Sequence, residues 1–263
     1  PIAWLWKRFS VRASSRQGSV EKLGYIKGIL GVFIEALSEK IEQQGGKIST
    51  SCNIQKIKKQ GDTIAVITEN KTYSYDKVIA TFAPEVFNYL TEGLSEEIIS
   101  KNNSLEYTGV VCPILILKKQ FSQYYWINIG DTTMPFNGLI EQTNFLPKEI
   151  YGNKHILYIS NYCFTHHPNY SMNNNELLKV YVSALQKLNA DFDESWIEEV
   201  IWSRAAFAQP VVTLNHPQKL PPKETNIKGL YNINMAHIYP EDRGVNYSLK
   251  LGLEIADLII NSN

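Results

Sequence analysis

Hydrophobic residues recur along the chain with two periods, about 3.6 residues in some segments and two residues in others. The first segment is helical and core-like, and its large apolar residues are Trp4, Leu5, Trp6 and Phe9. Further on, apolar residues at three- and four-residue steps predict an amphipathic helix from about Leu30 to Gln44. The Gly45-Gly46 pair that follows predicts a left-handed cap at the end of this helix.

Strand patterns follow this helix. The segments KISTSCNIQKIKKQ and TIAVITEN predict two strands joined by a turn at Gly61 and Asp62. KTYSYDKVIATFAP predicts a tight return into a third strand, because residues 78–80 form the unbroken apolar run of a buried strand. Pro84 stops that run.

From about Leu90 aromatic residues become frequent. Strands with alternating large residues are predicted by the segments EYTGVVCPILILKK, QYYWINIGD, GLIEQTNF and HILYISNYCF. NNNELLKVYVSALQKLNA predicts a helix capped by asparagine, and SWIEEVIWSRAAFAQPVV predicts a further strand that ends at Pro210. The middle of the chain therefore predicts an aromatic antiparallel sheet with one helix.

The chain closes with a predicted strand, GLYNINMA, then a loop and a helix. Most positions of that helix are apolar, which predicts that it is largely buried. Its apolar residues are Leu249, Leu251, Leu253, Ile255, Ala256, Leu258 and Ile259. The two ends of the chain thus resemble one kind of domain, and the middle resembles an insertion between them.

Composition narrows the class of protein. Hydrophobic residues make up 44% of the 263 residues and charged residues 20%, so the chain has enough apolar surface for a folded core. Lysine plus arginine and aspartate plus glutamate both number 26, so no net charge favours a nucleic-acid partner. No apolar run approaches the roughly 18 residues of a membrane span, and no signal peptide is evident. A cytoplasmic location is expected.

Several chemical classes lack sequence support. The three cysteines form no CxxC pair, and the five histidines show no metal-ligand spacing, so neither a disulfide framework nor a metal site is expected. The sequence contains no GxG dinucleotide fingerprint, no P-loop and no GxSxG elbow. Lys7, Arg8, Arg12 and Arg16 could face an anionic ligand or form a solvated face.

The entrance of the last helix carries the most distinctive residues. In IYPEDRGVNYS, a proline turn and charged residues precede Gly244, and Ser248 adds a hydroxyl in the first helical turn. A helix start with a glycine and free N–H groups favours an electron-rich ligand atom. An ordinary helix cap with a solvated Asp242 and Arg243 is the alternative interpretation.

The segment LYNINMAHIYPEDRGVNYSLKLGLEIADLI resembles the C-terminal flavin-contacting segment of the flavin-containing amine oxidase superfamily, which includes protoporphyrinogen oxidase and phytoene desaturase. The YPEDRG-x-N form looks closest to bacterial NAD(P)/FAD-dependent oxidoreductases similar to UDP-galactopyranose mutase. The segments LGYIKGILGVFIEALSEKIEQQGGKISTSCNIQKI, VIATFAP, YYWINIGDTTMPFNGLIEQTNF and FAQPVV extend this resemblance over almost the whole chain.

The resemblance implies a mixed α/β fold, with a partial FAD/NAD(P)-binding Rossmann-like domain and an inserted antiparallel-sheet substrate domain. Residues 1–20 and 90–212 would form the substrate domain, and residues 21–89 and 213–263 the FAD-binding domain. The resemblance also implies a cofactor-binding set, which is Ile54, Thr81, Pro84, Met235, Tyr239, Asp242, Arg243, Gly244, Val245 and Asn246. Ile54 matches the position beside the adenine, and Gly244 to Asn246 match the positions beside the isoalloxazine ring. Arg12 and Arg16 would belong to the substrate side.

Two departures from the family pattern bear on the cofactor. The strand before the loop commonly ends in Gly-Asp in this family, whereas the matching pair here is Asn234-Met235. The strand–GxGxxG–helix unit that grips the pyrophosphate is missing, and the chain opens in mid-pattern with Pro1. We therefore expect this chain to be part of a longer flavoprotein, inactive alone and a weak binder of FAD.

The resemblance implies an FAD-dependent oxidoreductase that transfers a hydride to or from a small or sugar-like substrate. Candidate substrate-facing residues are Tyr125, Trp126, Glu141, Asn144, Arg204 and Gln209. A flavin-dependent mutase of a nucleotide sugar and a non-catalytic interaction domain stay open as alternatives. Self-association is expected because much cofactor-domain surface would be uncovered.

Overall fold

The computed structural model describes residues 2–14, 16–17, 20–21 and 24–261. For residues 8, 11–14, 16–17 and 20–21 it describes the backbone alone. The side chains of Arg8, Arg12 and Arg16, which the sequence marks as a basic stretch, therefore lie outside the described part.

The helices are α1 (Ile2–Ser14), α2 (Ile29–Gln43), α3 (Pro84–Leu90), α4 (Glu96–Asn103), α5 (Pro168–Ser171), α6 (Asn174–Leu188), α7 (His216–Lys219) and α8 (Val245–Asn261). Short 3₁₀ turns cover Gln142–Asn144, Lys148–Tyr151, Glu194–Trp196 and Met235–Ile238. The strands are β1 (Arg16–Gln17), β2 (Val20–Glu21), β3 (Ile54–Gln60), β4 (Thr63–Thr68), β5 (Thr72–Tyr75), β6 (Val78–Ala80), β7 (Tyr107–Leu117), β8 (Trp126–Asn128), β9 (Gly138–Glu141), β10 (His155–Cys163), β11 (Ile197–Pro210) and β12 (Leu230–Asn232).

These elements form two compact units. The first contains the described residues up to Leu105 together with those from Thr213 onward, and the second runs from Glu106 to Val212. The sequence-based boundary at residue 90 lies within the first unit, because α3 and α4 continue that unit after β6. Residues 2–14, which the sequence assigned to the substrate domain, also belong to the first unit. Which unit binds cofactor and which binds substrate stays a prediction.

In the first unit, β6 and β12 form a parallel pair with apolar layers on both faces. Leu230 joins a core with Ile57 of β3, Ile64 of β4 and Phe87 of α3. The neighbouring residue of β12 is Tyr231, which packs in the core that α8 contributes. Successive residues of a strand point to opposite faces, so this short sheet separates the β3–β4–β5 sheet and α3 from α8.

Two expectations about burial in this unit are wrong, those for α8 and for the strand of residues 78–80. The predicted helix after Leu30 is present as α2, and Gly45 has the predicted left-handed φ of 84°, but none of the residues of α2 is buried. Only Leu251 and Ile255 of α8 are buried, and Ile79 of β6 is 43% exposed.

Three of the four core-like residues at the start are also exposed, namely Leu5 at 51%, Trp6 at 71% and Phe9 at 65%, whereas Trp4 is half-buried. An apolar stripe predicts a face that favours contact with another layer, and the described residues supply no such layer over these helices.

The second unit is an antiparallel sheet with strand order β11–β7–β10–β9–β8 and with α6 against one face. Every second residue of β7 from Gly109 to Leu117 is buried, as the alternation in the sequence predicts. α6 contributes Leu177, Tyr181 and Leu185 to the same core. Its cap is the predicted asparagine, because the Asn173 side chain accepts a hydrogen bond from Glu176 N at 3.0 Å.

The three cysteines are free and differ in exposure. Cys52 is exposed, Cys112 is half-buried and Cys163 is buried. Burial raises the pKa of the Cys112 thiol, and burial is also the largest cause of the raised pKa of Cys163.

Candidate functional site

The parallel pair in the first unit places several predicted cofactor residues at one edge. Ala80 lies opposite Asn232, and Ile233 N donates to Ala80 O at 3.0 Å, so both strands end together. Thr81 to Pro84 come directly after β6, and Met235 comes shortly after β12. These residues therefore lie at the same edge of the sheet. Ligands of open parallel sheets bind outside the carboxyl ends of the strands, and these residues occupy that location.

A hydrogen-bonded turn connects β12 to the loop before α8. The Asn234 side chain accepts from Ala236 N at 3.0 Å, and His237 Nδ1 accepts from Asn234 N at 3.2 Å. His237 Nε2 lies 3.1 Å from Pro221 O, and since a carbonyl only accepts, Nε2 carries the proton. This neutral tautomer is consistent with the environment, because burial is the largest cause that lowers the pKa of His237.

A second histidine supports the same turn from beneath. His216 is 1% exposed, its Nε2 lies 3.3 Å from Ala236 O, and its ring lies 5.4 Å from the Tyr239 ring. Burial again lowers the pKa of this imidazole. Neither histidine was singled out from the sequence, because their partners are backbone carbonyls that are distant along the chain.

The loop from Tyr239 to Gly244 leads directly into α8. Ser248 N donates to Gly244 O at 3.0 Å, which is the first bond of the helix, so the N–H groups of residues 245–247 precede the intrahelical ladder. Arg243 N donates to Asp242 Oδ1 at 3.0 Å, and Lys7 Nζ lies 3.3 Å from Glu241 Oε1. The charged residues of the loop therefore hold the loop itself and contact α1.

Gly244 keeps the helix entrance open. A β-carbon at this position would lie 2.7 Å from Asn246 Oδ1, closer than real contacts allow, so a larger residue would displace the Asn246 amide. Ile54 reaches the region from a different sheet, where it packs with Phe82 and Val78 against the core that contains Ala80.

Two of the predicted substrate residues form a supporting cluster in the second unit. Glu141 is 1% exposed and accepts hydrogen bonds from Phe121 N at 2.9 Å and from Ser122 N at 2.6 Å. Asn144 Nδ2 donates to Ser122 O at 2.7 Å. Burial raises the pKa of the Glu141 carboxyl, although these backbone hydrogen bonds act in the opposite direction. In this structure both side chains hold the turn before β8, and contact with a substrate stays a prediction.

Of the other four candidates, Tyr125 and Trp126 lie beside this cluster, whereas Arg204 and Gln209 lie apart from it. Glu141 N donates to Tyr125 O at 2.8 Å, and the Tyr125 and Trp126 ring centroids are 6.5 Å apart. The Tyr125 ring packs on Phe145 at 4.9 Å between centroids, and Trp126 lies on β8. Arg204 and Gln209 lie on β11, at the opposite edge of the sheet from β8. Arg204 Nη2 donates to Met172 O at 3.1 Å, and Gln209 pairs with Thr108 of β7.

A cleft of about 610 Å³ in the second unit was not predicted. One wall is the loop of residues 129–137, and the other is formed by the end of β10 with the start of α5. The sequence contains each wall, but only the fold of the chain brings the two walls together. An Asp-x-Thr turn after an apolar strand, GDTT, was the one local signal.

Within the ranges that the structure describes, no group of three or more histidine, cysteine, aspartate or glutamate residues could hold a metal ion. No helix among those residues is long and apolar enough to cross a membrane.

The sequence matches the profile of a family described as flavin containing amine oxidoreductase over residues 6–256. The chain belongs to this family. The match covers both units, including the parallel strand ends and the helix entrance. The predicted superfamily is thereby confirmed, and a flavin is the cofactor that the flavin amine oxidoreductase family implies. No curated protein sequence matches the chain.

Solved structures with a similar fold include three with stated activities. Reduced UDP-galactopyranose mutase has a TM-score of 0.71 and 14% identity, over 97% of this chain and 57% of that one. Putrescine oxidase with bound putrescine has a TM-score of 0.64 and 11% identity, over 87% of this chain and 53% of that one. An oxidoreductase from Methanosarcina mazei has a TM-score of 0.60 and 20% identity, over 79% of this chain and 49% of that one.

These likenesses concern the fold, because the identities are low. They confirm the predicted mixed α/β architecture with antiparallel sheets, as found in flavin-dependent oxidoreductases. The chain spans about half the length of the solved structures that it matches.

Proposed function

We propose that this chain contributes the ring side of an FAD site in an oxidoreductase that transfers a hydride between the flavin and a small or sugar-like substrate. The observation that carries the proposal is the helix entrance at Gly244, which follows the carboxyl end of β12 within the region that matches the flavin family. A bound flavin supplies the redox chemistry, and the protein supplies binding, orientation and electrostatics.

The residues at this entrance fit an electron-rich edge of a ring. The first N–H groups of α8 lack intrahelical partners, and the positive end of the helix dipole favours negative charge there. Val245 and Asn246 would present these N–H groups, and Gly244 would allow the ring to approach the backbone. Thr81, Pro84, Met235, Tyr239, Asp242 and Arg243 would line the same site, with Ile54 toward the adenine.

The residues fit the phosphates of FAD less well. At the position where the family carries an aspartate, this chain has Met235, and the neighbouring Asn234 side chain is used in the turn, accepting from Ala236 N. Contacts to the ribityl and phosphate groups must then come from other residues. We accordingly expect ring contacts to dominate the affinity of this chain for a flavin.

Flavin titration tests the cofactor part of the proposal. The purified chain is titrated with FAD and with lumiflavin, which has the ring but no phosphates, and binding is followed by flavin fluorescence. We expect both ligands to bind weakly and with similar affinity. Gly244→Val should weaken both, because its side chain would displace Asn246.

The matched control is Gly252→Ala, also in α8, where a β-carbon would meet nothing within 4 Å. This variant should bind both flavins like the parent chain. Stoichiometric FAD binding at low micromolar concentration would contradict the ring-side assignment. If neither FAD nor lumiflavin binds at millimolar concentration, the result would contradict a flavin site in this chain.

A flavin-dependent mutase of a nucleotide sugar is the second candidate. It is favoured by the extent of the likeness to UDP-galactopyranose mutase, which covers 97% of the chain. Anaerobic mixing of flavin-loaded protein with a substrate separates the two reactions. Net hydride transfer to oxidised flavin bleaches its absorbance, whereas a mutase converts UDP-galactose without any electron acceptor.

A further inference from the structure

Hydrogen bonds join the two walls of the cleft in the second unit. Asn137 Oδ1 accepts from Tyr162 N at 2.6 Å, which joins the loop to β10. Asn169 Nδ2 donates to Pro135 O at 3.2 Å, which joins the start of α5 to the same loop. Asp131 Oδ1 accepts from both Thr133 N and Thr133 Oγ1, at 2.8 and 2.7 Å. These bonds fix the polar lining before any ligand arrives, which reduces the ordering cost of binding.

The same side chains keep polar atoms available for a ligand. Asn137 uses its oxygen and keeps its NH₂ group, while Asn169 uses its NH₂ group and keeps its oxygen. Asp131 keeps its second carboxylate oxygen. Among the described residues, none hydrogen-bonds to these three groups. The lining therefore offers paired donors and acceptors of the kind that hydroxyl groups satisfy.

The charge of the lining excludes one ligand class. None of the described residues that line the cleft is lysine or arginine, and Asp131 is the one carboxylate among them. The hydrogen bonds from Thr133 lower the pKa of Asp131, so this group is ionised at neutral pH. Lys187 lies near enough to add to the lowering of the Asp131 pKa but does not line the cleft. A phosphate in the cleft would therefore meet the Asp131 carboxylate with no lysine or arginine in the lining, which disfavours its binding.

Flat aromatic surfaces complete the lining. Phe164 and Tyr162 line the cleft, and the two residues are 41% and 37% exposed. The Phe164 ring is stacked on His166 with centroids 5.4 Å apart and an interplanar angle of 6°, so its orientation is held. Exposed rings beside paired amides suit a ligand with an apolar C–H face and a hydroxyl-rich edge. The volume lies in the range of small-molecule sites.

We propose that this cleft binds an uncharged, hydroxyl-rich ligand of one or two sugar rings, without a phosphate group. The argument uses only residues of the second unit, so it does not depend on the flavin proposal. An amine is the competing ligand class, because Asp131 could pair with a cation. A phosphorylated sugar is the ligand class that the lining rejects.

Saturation-transfer NMR on the full chain without flavin tests the proposal. The probes, at millimolar concentration, are D-galactose, lactose, galactose 1-phosphate and putrescine. We expect saturation of the C–H protons of galactose and lactose, and a markedly weaker signal from the other two. Phe164→Ala should weaken galactose binding about tenfold, because it removes the flat surface. Tyr124→Ala is the matched control, since Tyr124 is 61% exposed in the same unit but does not line the cleft.

A second variant keeps the test independent of folding defects. Asp131→Asn retains an oxygen for the Thr133 hydrogen bonds and removes the charge. This variant should reduce the difference in binding affinity between galactose and galactose 1-phosphate. Equal or stronger binding of galactose 1-phosphate or putrescine to the parent chain would overturn the proposal. So would the lack of any sugar signal, or a galactose signal that Phe164→Ala leaves unchanged.

Discussion

Replacing His237 with leucine should loosen the turn that leads to the α8 entrance. The imidazole makes two hydrogen bonds, from Asn234 N at 3.2 Å and to Pro221 O at 3.1 Å. Leucine is similar in size and can make neither bond. A typical intramolecular hydrogen bond contributes about 0.5–1.5 kcal/mol, so the pair contributes about 1–3 kcal/mol to the closed turn. That range corresponds to a change of about 5- to 150-fold in the opening equilibrium.

Residue-level hydrogen exchange measures this equilibrium directly. The Asn234 amide should exchange faster in His237→Leu by about the same factor, because the imidazole is its acceptor. His166→Leu is the control, since His166 is an exposed histidine of the second unit and the turn belongs to the first. An unchanged exchange rate at Asn234 would refute the assignment of His237 as the group that holds the turn.

The same histidine gives a pH dependence with a defined sign. Burial is the largest cause that lowers the pKa of His237, and Lys223 and His216 add smaller effects in the same direction. A depressed folded-state pKa means that the contribution of this group is present above the unfolded value of about 6.5. The contribution is lost as the pH falls through the folded-state pKa. The protection factor of the Asn234 amide, which corrects for the pH dependence of intrinsic exchange, should therefore fall in acid in the parent chain and respond less in His237→Leu.

Three further predictions concern stability and association. Tyr181→Phe should destabilise the second unit by about 1–3 kcal/mol in urea unfolding, because it leaves buried Asn161 Nδ2 without its acceptor at 2.9 Å; an unchanged midpoint would contradict this. Glu141 has a raised pKa from burial, so its contribution is present below the unfolded pKa of about 4.3 and is lost as pH rises through the folded pKa. The free energy of unfolding of Glu141→Gln, relative to that of the parent, should thus increase as the pH rises. A difference that does not change with pH would contradict this prediction. Light scattering should show that the parent chain self-associates. The double change Val32→Lys, Ile34→Glu on the exposed face of α2 should reduce this association. A parent chain that stays monomeric at high concentration would contradict the prediction.

Strand and helix positions followed from local pattern where side chains alternate strictly. β7 and β10 were predicted within a few residues, since each buries every second residue over most of its length. The asparagine cap of α6 was equally local. α3 and α4 were missed because they are short and interrupt a chain segment that was already assigned to a change of domain.

Burial and the site depended on long-range packing that periodicity does not contain. The apolar stripe of α2 predicted the helix but not that none of its residues is buried. The residues Gly244 to Asn246 could be named from sequence because they form one continuous segment. The cleft needed the loop after β8 and the end of β10 to meet, and Asn137 and Asn169 show their role only once paired with backbone on the facing wall.

The unequal exposure of the three cysteines provides a labelling site without any mutation. Thiolate is the form that reacts with maleimides, and burial raises the pKa of Cys112 and Cys163. Cys52 is exposed and lies two residues before Ile54. A fluorophore placed there in one step would report by energy transfer on a flavin that binds at the proposed site.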